Sequence, residues 1–304
     1  MDKPNIAATV HIPNVERDER IGSAFNHLFR VIGSTEGAKG DVVWDFSSAT
    51  FFHPFFLAPL AIYRQECGKH VGITGIQPRI ATYLDTVCFA HPLRTGGDGT
   101  DGMLAAYANR SYTPVCQFDL GQCDTDKMQT MFQNIVKRQS GIAAAMTTPL
   151  SYMLGELVDN MNEHSDGSHG YLFSQYLQRE SCIDVVIADN GRTVYGSYVK
   201  TGRHMDDIGT NEAEALKMAN HGVSTKNRPD AENRGYGIST SKNMLVKGMG
   251  GAFFMLSGGA FHRSDSGGDI YINLPPDITW RGTVVLLRIP DRLPQNFDYT
   301  EYME

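Results

Sequence analysis

The sequence has little that would carry it into or across a membrane. Its first residues, Met1-Asp2-Lys3-Pro4-Asn5, lack the basic start and apolar core of a signal peptide. The most apolar early stretch, Phe51 to Tyr63, is short and interrupted by His53, Pro54 and Pro59. A cytoplasmic chain with no membrane contact is the expectation. A disulfide framework is also missing. The five cysteines, Cys67, Cys88, Cys116, Cys123 and Cys182, are odd in number and include no close pair at zinc-ligand spacing, so reduced thiols are expected. There is no basic surplus: a formal charge of −7 leaves no electrostatic footprint for wrapping DNA or RNA, which argues against nucleic acid as a partner. Internal repeats, low-complexity tracts and long charge blocks are absent as well.

What remains is an ordinary globular composition, 41% hydrophobic and 20% charged, over 304 residues, enough for two domains with a core each. Residues 1–125 read as a small α/β unit. Ala7 to Ile12, Asp41 to Phe46 and Val71 to Thr74 look like strands, Glu19 to Val31, Pro54 to Cys67 and Ile80 to Phe89 like helices, and Tyr112 to Phe118 like a closing strand. The glycine-rich run Gly96 to Gly102 reads as an exposed loop, and a boundary falls near Gly121 to Asp126. In residues 126–304, Lys127 to Arg138, Pro149 to His164 and Asn211 to Ala219 have helical periodicity. Ile183 to Ala188 is a buried-strand run, and Ala252 to Ser257, Asp269 to Leu274 and Thr283 to Ile289 look like three strands of one sheet. The expected fold class is thus α/β (α+β), the second half an α/β sandwich with its helices to one side.

The stretch Ser151 to His164, wound at about 100° per residue, puts Leu154, Leu157, Val158 and Met161 on one face and Glu156, Asp159, Asn160 and Glu163 on the other. A solvated polar face is the bland explanation. Glu156 and Asn160, however, lie one turn apart and offer a carboxylate base beside an amide oxygen. Mg²⁺ accepts one or two protein oxygens and completes its shell from phosphate and water, so one Asn beside a nucleotide suffices. A carboxylate one turn away can orient or deprotonate a water for attack on a γ-phosphate, with Asp159 a second member of the water network. His164 is explained as a helix-end residue favoured by the macrodipole.

Downstream, the strand Ile183 to Ala188 runs into Asp189-Asn190-Gly191. A carboxylate at such a strand end can accept a hydrogen bond from the exocyclic amine of adenine, and Gly191 lets the backbone turn closely past the base; alone, Asp-Asn-Gly is simply a good turn. Arg234-Gly235-Tyr236-Gly237-Ile238-Ser239-Thr240 leads into a helical stretch, Ser239 to Lys247, where bare backbone N–H groups suit phosphate oxygens. Lys226 and Arg234 bracket the preceding loop within reach of a phosphate, although functionless surface lysines are the commoner case. Arg192 to Arg234 suits a mobile lid over the triphosphate, and the Thr283 hydroxyl, after Arg281-Gly282, is placed to help hold a base.

In this order the pieces resemble the GHKL superfamily of ATPases and kinases, which includes gyrase, heat-shock chaperones, mismatch-repair proteins, sensor histidine kinases and anti-sigma-factor kinases. Glu156-Leu157-Val158-Asp159-Asn160 resembles the family's N box, Asp189-Asn190-Gly191 its first glycine box, Gly235-Tyr236-Gly237 its second and Gly282-Thr283 its third. The resemblance implies a Bergerat-fold domain over residues 126–304 that binds ATP with Mg²⁺: Asn160 on the metal, Asp189 reading adenine, and Gly191, Gly235 and Gly237 lining the nucleotide. Glu156 matches the hydrolytic or proton-accepting carboxylate. The N-terminal half resembles a STAS domain through the strand Val42-Val43-Trp44-Asp45-Phe46 and the helix after it. That family carries a phosphorylatable Ser or Thr at the start of the helix; here the stretch is Phe51-Phe52-His53-Pro54-Phe55, without a hydroxyl, and Ser47, Ser48 and Thr50 lie too early. An interaction module for a protein partner is the expectation.

Three functions follow from the resemblance: an ATPase whose lid closure switches partner binding, a Ser/Thr or His protein kinase, and a non-hydrolysing ATP-binding regulatory module. Lys127 to Arg138 contains no histidine, which disfavours autophosphorylation of the sensor-kinase type. A homodimer fits the superfamily, whose lids often close against a second subunit.

Overall fold

The computed structural model describes residues 6–15, 21–96, 99–120, 146–223, 225 and 237–302. The expected boundary at 121–126, the helix 127–138 and Cys123 lie outside them.

Three short strands, β1 (Ile6–His11), β2 (Asp41–Asp45) and β3 (Val71–Thr74), form a parallel sheet in the order β1-β2-β3, joined by helices α1 (Ile21–Glu36) and α2 (Pro54–Glu66). Parallel neighbours need such crossovers. His53 starts α2: its backbone is extended, its Nδ1 accepts the Phe55 N–H at 3.1 Å, and Pro54 occupies the first helical position, where no N–H is needed. Every residue from Pro54 to Tyr63 is buried. A helix apolar all round must be covered all round.

Its second cover is a larger sheet. Strands β4 (Leu93–Arg94), β5 (Cys116–Asp119), β6 (His169–Leu177), β7 (Cys182–Asp189), β8 (Ala252–Gly258), β9 (Ala260–Asp265), β10 (Gly268–Asn273) and β11 (Trp280–Pro290) pair in the order β10-β9-β8-β11-β7-β6-β5-β4. All neighbours are antiparallel except β4 with β5. Side chains alternate between two apolar cores. Val186, Ala188, Phe254, Leu256, Val284 and Leu286 face α1, α2 and the small sheet. Val185, Ile187, Phe253, Met255, Val285 and Leu287 face helices α5 (Thr147–His164), α8 (Glu212–Asn220) and α9 (Gly237–Asn243). Between α5 and α9 the chain also forms α6 (Val194–Thr201) and α7 (Met205–Ile208); α3 (Pro78–Thr86) and α4 (Thr100–Ala105) lie further upstream.

The molecule is therefore mixed α/β, and its halves share a core. Phe25 meets Phe254 and Phe261 at ring-centroid distances of 5.0 and 4.9 Å. The strand expected to close the first unit instead pairs with β6 from the second, so the large sheet draws two strands from before residue 125. The helices of the second half do lie to one side of the sheet, while α1 and α2 of the first half cover the other. Strands β6 and β9 were not anticipated, and the expected helix Ser239 to Lys247 is α9 followed by a π turn, Met244–Gly248. Cys67, Cys88, Cys116 and Cys182 are free thiols. Among the described residues no helix is long and apolar enough to cross a membrane.

Candidate functional site

Helix α5 presents the two faces expected of it. Leu154, Leu157, Val158 and Met161 are buried, Glu156 and Asn160 are half-buried, and Asp159 and Glu163 are exposed. Asn160 Nδ2 donates to the Glu156 carbonyl, one turn back, at 2.6 Å. This bond orients the amide and leaves Oδ1 as the atom able to take a metal. Tyr152, one turn before Glu156, lies beside its carboxylate and Thr240; burial and the Glu156 charge push the Tyr152 phenol up.

Asp189 ends β7 and is 3% exposed. Its Oδ1 accepts the Gly191 N–H at 2.8 Å, and the Thr283 N–H also bonds the carboxylate. Burial outweighs both donors and pushes the acid up to about 7. Gly282, at φ 82°, passes so close that a Cβ there would overlap the Asp189 carbonyl and carboxylate. The Ser257 hydroxyl donates to the Gly282 carbonyl at 3.0 Å, so in its 2.9 Å bond with Thr283 the Thr283 hydroxyl is the donor.

These pieces surround one cavity of about 240 Å³, many times the space of a single water. Seven of the expected residues line it: Glu156, Asp159, Asn160, Asp189, Gly237, Ile238 and Thr283. Ile187, Met255 and Val285 add an apolar surface from the sheet. Gly191 is not on the cavity wall. A side chain there is excluded by the Ser165 carbonyl and Gly167, against which Gly191 packs. Lys226, Arg234, Gly235 and Tyr236 lie outside the described residues. Most of the stretch expected as a lid, Arg192 to Arg234, is helical as far as Asn220, with α8 packed on β9 and β10; residues 226–234 lie outside the described residues.

No family model, curated protein or solved structure matches the chain. The site's chemistry is therefore read from geometry alone. Carboxylates Glu156, Asp159, Glu163 and Asp189 line the cavity, against Arg192, which is ion-paired with Asp166, and His164 at the end of α5. Among the described residues no group of three or more His, Cys, Asp or Glu forms a metal cage. A divalent cation here would need ligands from a bound phosphate, which suits a single amide oxygen such as Asn160 Oδ1. Arg192, Tyr152 and Ser165, which lines the cavity at the end of α5, were not anticipated. Arg192 directly follows the Asp-Asn-Gly turn, and Tyr152 precedes Glu156 by one helical turn, so both were within reach of a reading of neighbours.

Proposed function

We propose that the cavity binds ATP with Mg²⁺ and that the protein hydrolyses the nucleotide. The observation that carries this reading is the meeting, in one cavity, of a buried strand-end carboxylate, Asp189, and the paired Glu156 and Asn160 of α5. Asp189 offers an acceptor for the adenine amine beside the Thr283 hydroxyl, and Ile187, Met255 and Val285 offer apolar surface for a base. The acidity of the lining supports a cation: a triphosphate entering beside four carboxylates needs its charge neutralised. Asn160 would hold Mg²⁺, which when bound would screen the phosphates and polarise the γ-phosphoryl group. Glu156, oriented by Tyr152, would hold the attacking water and take its proton. The N-terminal unit would bind a protein partner.

Calorimetric titration of ATP and Mg²⁺ into the full chain, followed by phosphate release from wild type and Glu156→Gln, tests the reading. Binding with release that the substitution lowers by about a hundredfold or more supports it. Binding without release indicates a regulatory module, transfer of label to a partner a kinase, and no binding at all ends the nucleotide reading.

A further inference from the structure

Helix α2 belongs to the N-terminal unit, yet both its ends meet polar groups of the large sheet and of the turn that follows β7. At its start, His53, whose Nδ1 accepts the Phe55 N–H and whose Nε2 therefore carries the proton, points that Nε2 at Asp184 Oδ2, 3.6 Å away, and Arg288 grips the fully buried Asp184 of β7 through two hydrogen bonds of 2.8 and 2.7 Å. At its end, Glu66 Oε2 accepts from Asn190 Nδ2 at 3.0 Å, and Glu66 Oε1 accepts from the Tyr171 hydroxyl. Tyr171 in turn receives the Gln117 Nε2 proton at 3.0 Å, so its own proton is directed to Glu66. Both hydrogen-bond partners of Glu66 are donors, and a carboxylate satisfies both, with His169 Nδ1 a third neighbour 3.6 Å from Oε1.

Asn190 sits between Asp189, in the cavity, and Gly191, packed on Ser165. Its Oδ1 accepts the N–H groups of Ser168 and His169, each at 2.9 Å. One buried side chain thus ties the loop 165–168 to the Asp189 turn, and its Nδ2 donates both to Ser168 Oγ and to Glu66, 124 residues away in sequence, each at 3.0 Å. The C-terminal end of α2 is thus linked through Asn190 to the turn that carries Asp189 and to the loop that begins at Ser165, both on the cavity wall.

We propose that Glu66 is a positioning residue for the Asp189-Asn190-Gly191 turn, through which the N-terminal unit sets the affinity of the cavity for nucleotide; this rests on reading the cavity as a Mg-ATP site. A partner that docks on the N-terminal unit and displaces α2 then changes nucleotide affinity, and by reciprocity nucleotide changes the affinity for that partner.

The polarity of the link can be exchanged. Asn190→Asp keeps the acceptor for Ser168 and His169 but turns a carboxylate toward Glu66, whereas Glu66→Gln with Asn190→Asp restores a donor-acceptor pair in the opposite sense. Mg-ATP affinity is measured well below each variant's melting point. The expected result is a loss of about tenfold in Asn190→Asp and recovery to within about threefold of wild type in the double variant. Wild-type affinity in all variants, with only melting points lowered, makes the contact structural and overturns the proposal. Amide hydrogen exchange supplies a readout without nucleotide: Glu66→Gln should speed exchange at Ser168 and His169 and leave Val185 to Ile187 unchanged. If wild type binds no Mg-ATP, the nucleotide reading fails by itself, and exchange still decides the positioning role; unchanged exchange at Ser168 and His169 overturns it.

Discussion

Gly237 lies directly against the carboxylate of Glu156, leaving no space for a Cβ at position 237. The obstructing atoms are the end of a flexible side chain, so Gly237→Ala should cost little stability but push Glu156 aside. The expected outcome is a melting point near wild type and phosphate release lowered by about tenfold or more. A variant that folds and turns over at the wild-type rate would show that Glu156 does not act from this position.

Asn160→Ala removes the one amide oxygen of the cavity that α5 orients through Glu156. In wild type, ATP with Mg²⁺ at about a hundredfold above Kd should raise the melting point by about 4 °C, because a ligand that binds only the native state stabilises it. The variant should show no Mg²⁺-dependent part of that rise. Scanning fluorimetry with ATP, with and without Mg²⁺, checks it.

Asp189 predicts a pH dependence whose sign follows from burial. Its native value of about 7 lies above the ordinary 3.8, so between the two the native state holds a proton that the unfolded chain has lost. This group therefore favours unfolding increasingly as pH rises from about 4 to 7. A nucleotide whose amine seeks the ionised carboxylate binds more tightly as the pH rises through 7, by about tenfold between pH 6 and pH 8. In Asp189→Asn the affinity should be weak and lack this rise; titrations at both pH values measure it.

His53 acts in the opposite direction. Burial, helped by the Arg288 charge, holds the ring at about 3 against an ordinary 6.5, so below 6.5 the unfolded state binds the extra proton. Stability falls as pH drops from 6.5 toward 3, with a loss of about 2 kcal/mol from this site at pH 5. Asparagine keeps an acceptor at the helix start. His53→Asn should therefore lose less stability than wild type between pH 7 and pH 5, even if it is less stable at pH 7. Urea midpoints at the two pH values compare them.

Where local spacing determines structure, the sequence was legible. The runs in β7, β8 and β11 show themselves as apolar strands because both faces of the sheet are covered, and the polar face of α5 is visible from the one-turn spacing of Glu156 and Asn160. Strand β6 was not, since its burial from Gly170 to Ser174 is continuous and its sequence mixes Tyr, Ser and Gln. The allegiance of β5 was hidden for another reason: which sheet a short strand joins is decided by distant partners, here Gly170 to Leu172 of β6. The contact of Gly191 with Ser165 is likewise invisible in the sequence, because the two are 26 residues apart and only the fold brings them together. No periodicity links Glu66 to Asn190, and only the packing of α2 along β7 brings them together.

The order of the large sheet also bears on how the protein is made. Strand β11, the last described strand to leave the ribosome, lies in the middle, between β7 and β8. The β6-β7 hairpin and the β8-β9-β10 meander can each form from neighbouring residues, but among the described residues no strand pairing joins them until Trp280 to Pro290 has been synthesised. Translation at about 5–20 residues per second leaves α2 waiting on the order of tens of seconds for the completed sheet it will pack on. Through that interval the apolar side chains of Phe55 to Ile62, buried in the finished protein, lack the sheet that covers them, and the nascent chain is open to aggregation in a way the finished one is not.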